Sequence, residues 1–169
     1  MSELLTFGLE QLNTQLTRID GCLRELTEEQ VWSRLTPRGN SIANLCVHLA
    51  GSEYQHIVSG IGGRPFIRER SREFSLNGGL TPQELSERLH AVRDQSRQIL
   101  TRLTEQDLDT RVSLYFNTED WLDMKGSAAQ NTEPSVTRTI RGHLMYTIEH
   151  YANHAGQIIL LTKWLGGAR

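Results

Sequence analysis

Residues 149–163 read EHYANHAGQIILLTK, and within them His150 and His154 stand four apart in a segment with the apolar pattern of a buried helix. A four-residue step is about 400° of helical rotation, so the two imidazoles share a face one turn apart, and Gln157 falls on that face too. His143 is nearly aligned with them but precedes His150 by about two turns, roughly 10 Å along the axis, too far to share one ion with His154. A further imidazole, His48, sits mid-way along a second apolar segment, NLCVHLAG. If those two segments are neighbours, His48, His150 and His154 converge from two helices. Neutral imidazole suits zinc, nickel, copper and iron, and three protein ligands leave a position open for water or substrate. Hydrogen-bonded core or surface histidines produce the same H-x-x-x-H spacing, so the pattern alone leaves both readings open.

The remaining polar residues divide by position. Gln157 is either a group that orients a ligand ring or a bond between helices. Glu53 and Glu149 lie about 100° or more from the histidine faces and are not assigned as a general base. His56 and His90 have no chemical partner in the neighbouring sequence and are read as ordinary histidines. Arg64, Arg68, Arg70 and Arg72 make one connection locally basic, which fits carboxylate or phosphate binding or an ordinary solvated surface. Trp32 and Trp121 are expected as core or loop anchors.

Four long helices must position these groups. Leu5, Leu9, Leu12, Leu16, Ile19, Leu23 and Leu26 form one stripe at alternating steps of four and three. Thr27 to Gln30 has the form of a capping box before a short helical turn. The second long helix is expected over about residues 41–59, with Ile42, Leu45, Leu49 and Ile57 inward and Gly51 tolerated where another helix comes close. At Thr81, Pro82 and Glu84 a third helix opens with the clearest start signal in the chain. Its stripe is Leu85, Leu89, Val92, Ile99 and Leu103, and TEQD follows as a short turn. The last helix is expected to begin after Pro134 and run to Gly166, with Ile140, Leu144, Ile148, Tyr151, Ala155 and Ile158 as its seam. The result is an all-α class, a four-helix bundle in one domain over residues 1–169. The second and third helices are joined by a long crossover, GIGGRPFIRERSREFSLNGG. A second long connection, about residues 108–134, contains RVSLYFN, which alternates like a strand but has no convincing partner and is read as irregular.

Composition narrows the function classes. A chain of 169 residues is large enough to bury about 70% of its unfolded surface, so neither a metal nor a disulfide is needed for cohesion. A formal charge of −2 with interspersed signs gives no field for nucleic acid or an acidic membrane. No apolar run approaches the roughly 20 residues of a membrane span, and the N-terminus lacks a signal-peptide pattern, so a cytoplasmic protein is expected. Cys22 and Cys46 form no CxxC motif and read as small apolar core residues.

NLCVHLAG, GIGGRPFIRERSREF and EHYANHAGQIILLTK together, in this helix order over nearly the whole chain, resemble the DinB-like superfamily of small metalloproteins. The similarity is greatest to a less characterised branch with H-x-x-x-H-x-G-Q-I in the last helix. The resemblance implies a four-helix bundle with a long crossover and a three-histidine site for a divalent metal such as zinc, nickel, iron or manganese, with the ligands falling on His48, His150 and His154. It also implies a small-molecule substrate, a low-molecular-weight thiol in several members, and pairing into a homodimer. Members include thiol S-transferases and thiol-dependent isomerases, and others are inferred to be hydrolases. Asn153 stands where the commoner form carries a further histidine, which leaves the triad intact and the particular activity open. A non-catalytic metal-binding or stress-associated protein is the alternative.

Overall fold

The computed structural model describes residues 2–129 and 132–166. In chain order these form α1 (Glu3–Arg24), α2 (Glu28–Trp32), α3 (Ile42–Glu53) continued by a π-helical segment (Tyr54–Ile61), α4 (Arg70–Ser75), α5 (Pro82–Leu100), β1 (Arg111–Tyr115), α6 (Thr118–Lys125), β2 (Ser135–Thr139) and α7 (Ile140–Gly166). Each start follows from local chemistry. Thr27, Ser41 and Thr81 accept from backbone amides three residues on, and Gln30, Asn44 and Glu84 close the three capping boxes. TEQD forms a 3₁₀ turn, Glu105–Asp109, headed by Thr104 and Asp107.

The four long helices pack as a ring in which α1 contacts α7 and α5, and α3 contacts α5 and α7. The whole α1 stripe from Leu5 to Leu26 is buried, as are Leu85 and Leu89 of α5 and Ile140, Leu144, Tyr151, Ala155 and Ile158 of α7. This bundle is the architecture expected from the apolar spacing. Cys22 and Cys46 are buried free thiols. Among the described residues no helix is long and apolar enough to cross a membrane.

One buried ion pair ties three of the helices together. Glu53, at the end of α3, receives Arg93 Nε and Nη2 of α5 at 2.8 and 3.0 Å, and Arg93 Nη1 donates to Asn13 of α1. The guanidinium also lies over the Tyr151 ring of α7. Burial opposes the charge on Arg93, and Glu53 and Tyr151 together more than offset it. The carboxylate is thus committed to the bundle.

The second connection departs from expectation. Its RVSLY segment is not irregular: β1 pairs antiparallel with β2, Arg111 opposite Thr139 and Leu114 opposite Val136. The partner is Ser135–Thr139, a stretch rich in β-branched residues that suit a pleat. It lies beyond hairpin spacing because α6 and its flanks are inserted between the strands. For the same reason α7 begins at Ile140 and not directly after Pro134.

Candidate metal centre

Because α3 and α7 are neighbours, His48 meets the last helix at its polar face. His48 Nε2 lies 3.0 Å from His150 Nε2, and His154 Nε2 lies 3.0 Å from the same atom. Those three residues form a group of potential metal donors within 4.8 Å of one another. Glu73 of α4 receives His48 Nδ1 at 2.8 Å, and Gln157 Oε1 receives His154 Nδ1 at 2.9 Å. A neutral imidazole that donates from Nδ1 has a bare Nε2, so these two contacts turn two lone pairs towards His150. A cation in the space they face satisfies the donor set, and the residues present fit a divalent metal on that ground. His150 Nδ1 is buried without a partner among the described residues, and its ring is instead held by near-parallel stacking on Tyr146, 5.6 Å between centroids.

The support behind His48 runs deeper. Arg68 binds both oxygens of Glu73 at 2.7 and 2.8 Å and donates to Gln55 Oε1 at 2.7 Å. Gly51 leaves the room for this: a β-carbon there would overlap Glu73 Oε1 and crowd Arg68 Nε. The close approach expected at Gly51 therefore comes from α4, and the atom that needs the space is the carboxylate orienting His48.

Electrostatics keep the imidazoles neutral. Burial, followed by the charges of its two triad neighbours, lowers His150 from its ordinary 6.5 to about 3. Burial likewise lowers His48 and His154, against raising contacts from Glu73 and Gln157 respectively. Neutral imidazole is the metal-binding form, so no proton needs to be displaced near neutral pH.

The histidines set aside from the triad have partners that only the fold supplies. His143 donates from Nε2 to the Val112 carbonyl of β1 at 3.0 Å, so its Nδ1 accepts, and His56 Nδ1 donates to it at 3.1 Å. That chain leaves His56 Nε2 as a lone pair on a ring that packs at a tilt on Tyr146 and lines the same cavity as the triad. Burial and then His143 lower His56 to about 2, which makes it a neutral acceptor and a poor proton store. His56 lies in the π-helical segment, where each residue advances the rotation less than in an α-helix and so brings it back towards the face of His48. Sequence periodicity carries no mark of this widening. His90 pairs with Asp20 at 2.8 Å on the far surface.

The triad opens on a cavity of about 490 Å³, walled by α3, α7, the crossover and the second connection. Arg70 and Arg138 line it; Arg68 does too, already engaged with Glu73. Arg72 pairs with Glu69 on the surface, Arg64 is exposed, and Glu149 is exposed. Trp32 bonds the Leu80 carbonyl and Trp121 bonds Thr132, both as loop anchors. Among the described residues no fourth histidine, cysteine or carboxylate joins the triad.

A helical bundle with a long crossover that brings three imidazoles together beside an open cavity is the DinB-like fold with a candidate metal site. Residues 9–165 match the model of the mycothiol-S-transferase family, and the chain belongs to that family. Two solved structures share the fold. A conserved protein from Enterococcus faecalis aligns at 16% identity with a TM-score of 0.71, covering 98% of each chain. A DinB-like protein from Bacillus cereus ATCC 10987 aligns at 18% identity with a TM-score of 0.67, covering 94% of this chain and 91% of the other. No curated protein matches this chain.

Proposed function

We propose that this protein is a metal-dependent thiol S-transferase in which His48, His150 and His154 hold a divalent ion through Nε2. The reading is carried by one observation: in a chain of the mycothiol-S-transferase family, three imidazole nitrogens lie within 4.8 Å of one another on residues that line an open cavity. A bound divalent ion would supply Lewis acidity, favouring sulfur as thiolate, the nucleophilic form. The chain's own residues do the rest. Glu73 and Gln157 fix the ring orientations by accepting from Nδ1, Tyr146 holds the third ring by stacking, and Phe74 and Phe116 narrow the cavity with apolar surface. In the transfer an S–C bond forms to a small electrophile, the thiol proton passes to solvent or to the leaving group, and that group departs with its bonding pair.

Cobalt substitution tests the reading. In the cobalt-loaded protein, mycothiol, for which the family is named, or another low-molecular-weight thiol is expected to produce a sulfur-to-metal charge-transfer band and to be consumed with an electrophile. A spectrum that ignores thiols but shifts with pH near the bound-water transition, about pH 7 in zinc precedents, would move the assignment to hydrolysis. Insensitivity to thiol, anion and pH would leave the non-catalytic metal-binding role. The same reading includes a homodimer, supported by Leu160 and Trp164, exposed one turn apart on α7. A monomer mass in light scattering over a wide concentration range would exclude it.

A further inference from the structure

Two guanidinium groups flank the triad, each one aromatic ring away from a histidine. Arg70 lies over the Phe74 ring at 5.1 Å, and Phe74 packs on His48 at 4.8 Å. Arg138 lies over the Tyr146 ring at 4.5 Å, and Tyr146 stacks on His150. Both arginines are half-buried and line the triad cavity, together with the exposed Lys125. Among the described residues none of the three has an ion-pair partner. The wall is built to hold them. The buried Asp120 of α6 receives the backbone amides of Arg70 and Ser71, at 3.0 and 2.9 Å, which fixes the start of α4. Arg138 sits two residues from Val136 on β2, and period-two alternation turns both side chains to the cavity.

Guanidinium groups that stack on rings keep their in-plane N–H donors free for an anion, and a half-buried site strengthens each charge-assisted bond. Among the described residues no carboxylate lines the cavity to cancel the three positive charges. We propose that Arg70 and Arg138, assisted by Lys125, bind a carboxylate of the small molecule that reaches the triad, so that the substrate pair includes at least one organic acid. The acid is carried either by the thiol or by the electrophile. The proposal rests on the thiol-transfer reading for its placement of ligands, and its test separates the two.

Calorimetric titration of the metal-loaded protein compares 3-mercaptopropionate with its methyl ester, and a second titration compares succinate with its dimethyl ester in protein saturated with the neutral thiol 2-mercaptoethanol. The expected result is a carboxylate preference of about tenfold in one of the two arms, the size of one charge-assisted contact. Arg70→Gln and Arg138→Gln, verified by circular dichroism and metal content, remove that preference and leave ester binding unchanged. A preference in the first arm places the acid on the thiol, and one in the second places it on the electrophile. Raising salt from about 20 to about 200 mM must weaken the preference in the unaltered protein, which keeps the test intact if a variant misfolds. Thiol binding with no carboxylate preference in either arm overturns the anion site and spares the transferase reading. A carboxylate preference that survives both arginine substitutions, as direct coordination by the metal would give, also overturns it. Succinate binding that depends on the arginines in a protein that binds no thiol sustains the anion site and removes the transferase reading.

Discussion

Glu73 Oε2 lies 2.8 Å from His48 Nδ1 while Arg68 grips both oxygens of the same carboxylate, so a chain of three side chains ends on one candidate ligand. Removing the negative charge keeps the shape and weakens the hold on the imidazole. Glu73→Gln is expected to lower divalent-metal affinity by about 10- to 100-fold, a typical loss for a group orienting a ligand. Competition with a chromophoric chelator measures it, and an affinity within twofold of the unaltered protein would disprove the role.

Metal content separates the triad from the other histidines. His48→Ala, His150→Ala and His154→Ala should each lose stoichiometric divalent metal, whereas His56→Ala and His90→Ala should retain it. Elemental analysis of the purified variants decides the point. Full occupancy in all three triad variants would remove the site assignment.

A single methyl group at Gly51 should act at a distance on the same centre. Gly51→Ala puts a β-carbon where Glu73 Oε1 stands, so the carboxylate must leave His48 or α4 must shift. Reduced metal affinity is expected with the helical content of the bundle unchanged by circular dichroism. Unaltered affinity would show that the carboxylate has another place to go.

The Glu53–Arg93 pair predicts a large and asymmetric stability effect. Arg93→Met leaves a carboxylate in a fully buried position without its partner, and breaking such pairs costs about 3–5 kcal/mol. Replacing both partners with apolar residues should recover most of that loss. Urea unfolding measures both, and a single-variant loss below about 1 kcal/mol would contradict the argument.

Acid should destabilise the metal-free protein through His56. Its folded value is depressed from 6.5 to about 2, first by burial and then by His143, Arg68, Arg138 and His150. Below pH 6.5 the unfolded chain takes up a proton that the folded chain refuses, so the stability held above that pH is lost progressively as pH falls towards about 2. Between pH 6.5 and 5 one such group accounts for about 2 kcal/mol. His56→Gln should flatten the decline in urea midpoint over that window, and an unchanged slope would show that His56 is not the group responsible.

Most of the bundle could be read from the chain because apolar stripes and caps are local signals. Leu5 through Leu26 and the Thr81–Glu84 box needed no knowledge of the fold. The grouping of His48 with His150 and His154 needed one assumption, that α3 and α7 are neighbours, and the packing supplies it. What escaped was set by non-local pairing. Val136 and Leu114 meet across an inserted helix, His56 reaches His143 through a widened helical turn, and Glu73 finds His48 across 25 residues. Helical periodicity cannot report a partner on another element, and it assumes a winding that the π-helical segment does not keep. Arg70 and Arg72 are indistinguishable as neighbours in sequence, yet one lines the cavity and the other pairs with Glu69 in solvent.

Asp120 joins the two long connections into a single piece of architecture. Its two oxygens hold the first two amides of α4, 49 and 50 residues away in the chain, so the segment bearing Lys125 and the segment bearing Arg70 and Phe74 share one hinge point. The amide protons of Arg70 and Ser71 are therefore natural reporters for the whole rim. Hydrogen exchange at those two positions reads the integrity of a wall whose halves are sequence strangers, and a substitution on the outer surface of α6 can register there before any histidine is disturbed.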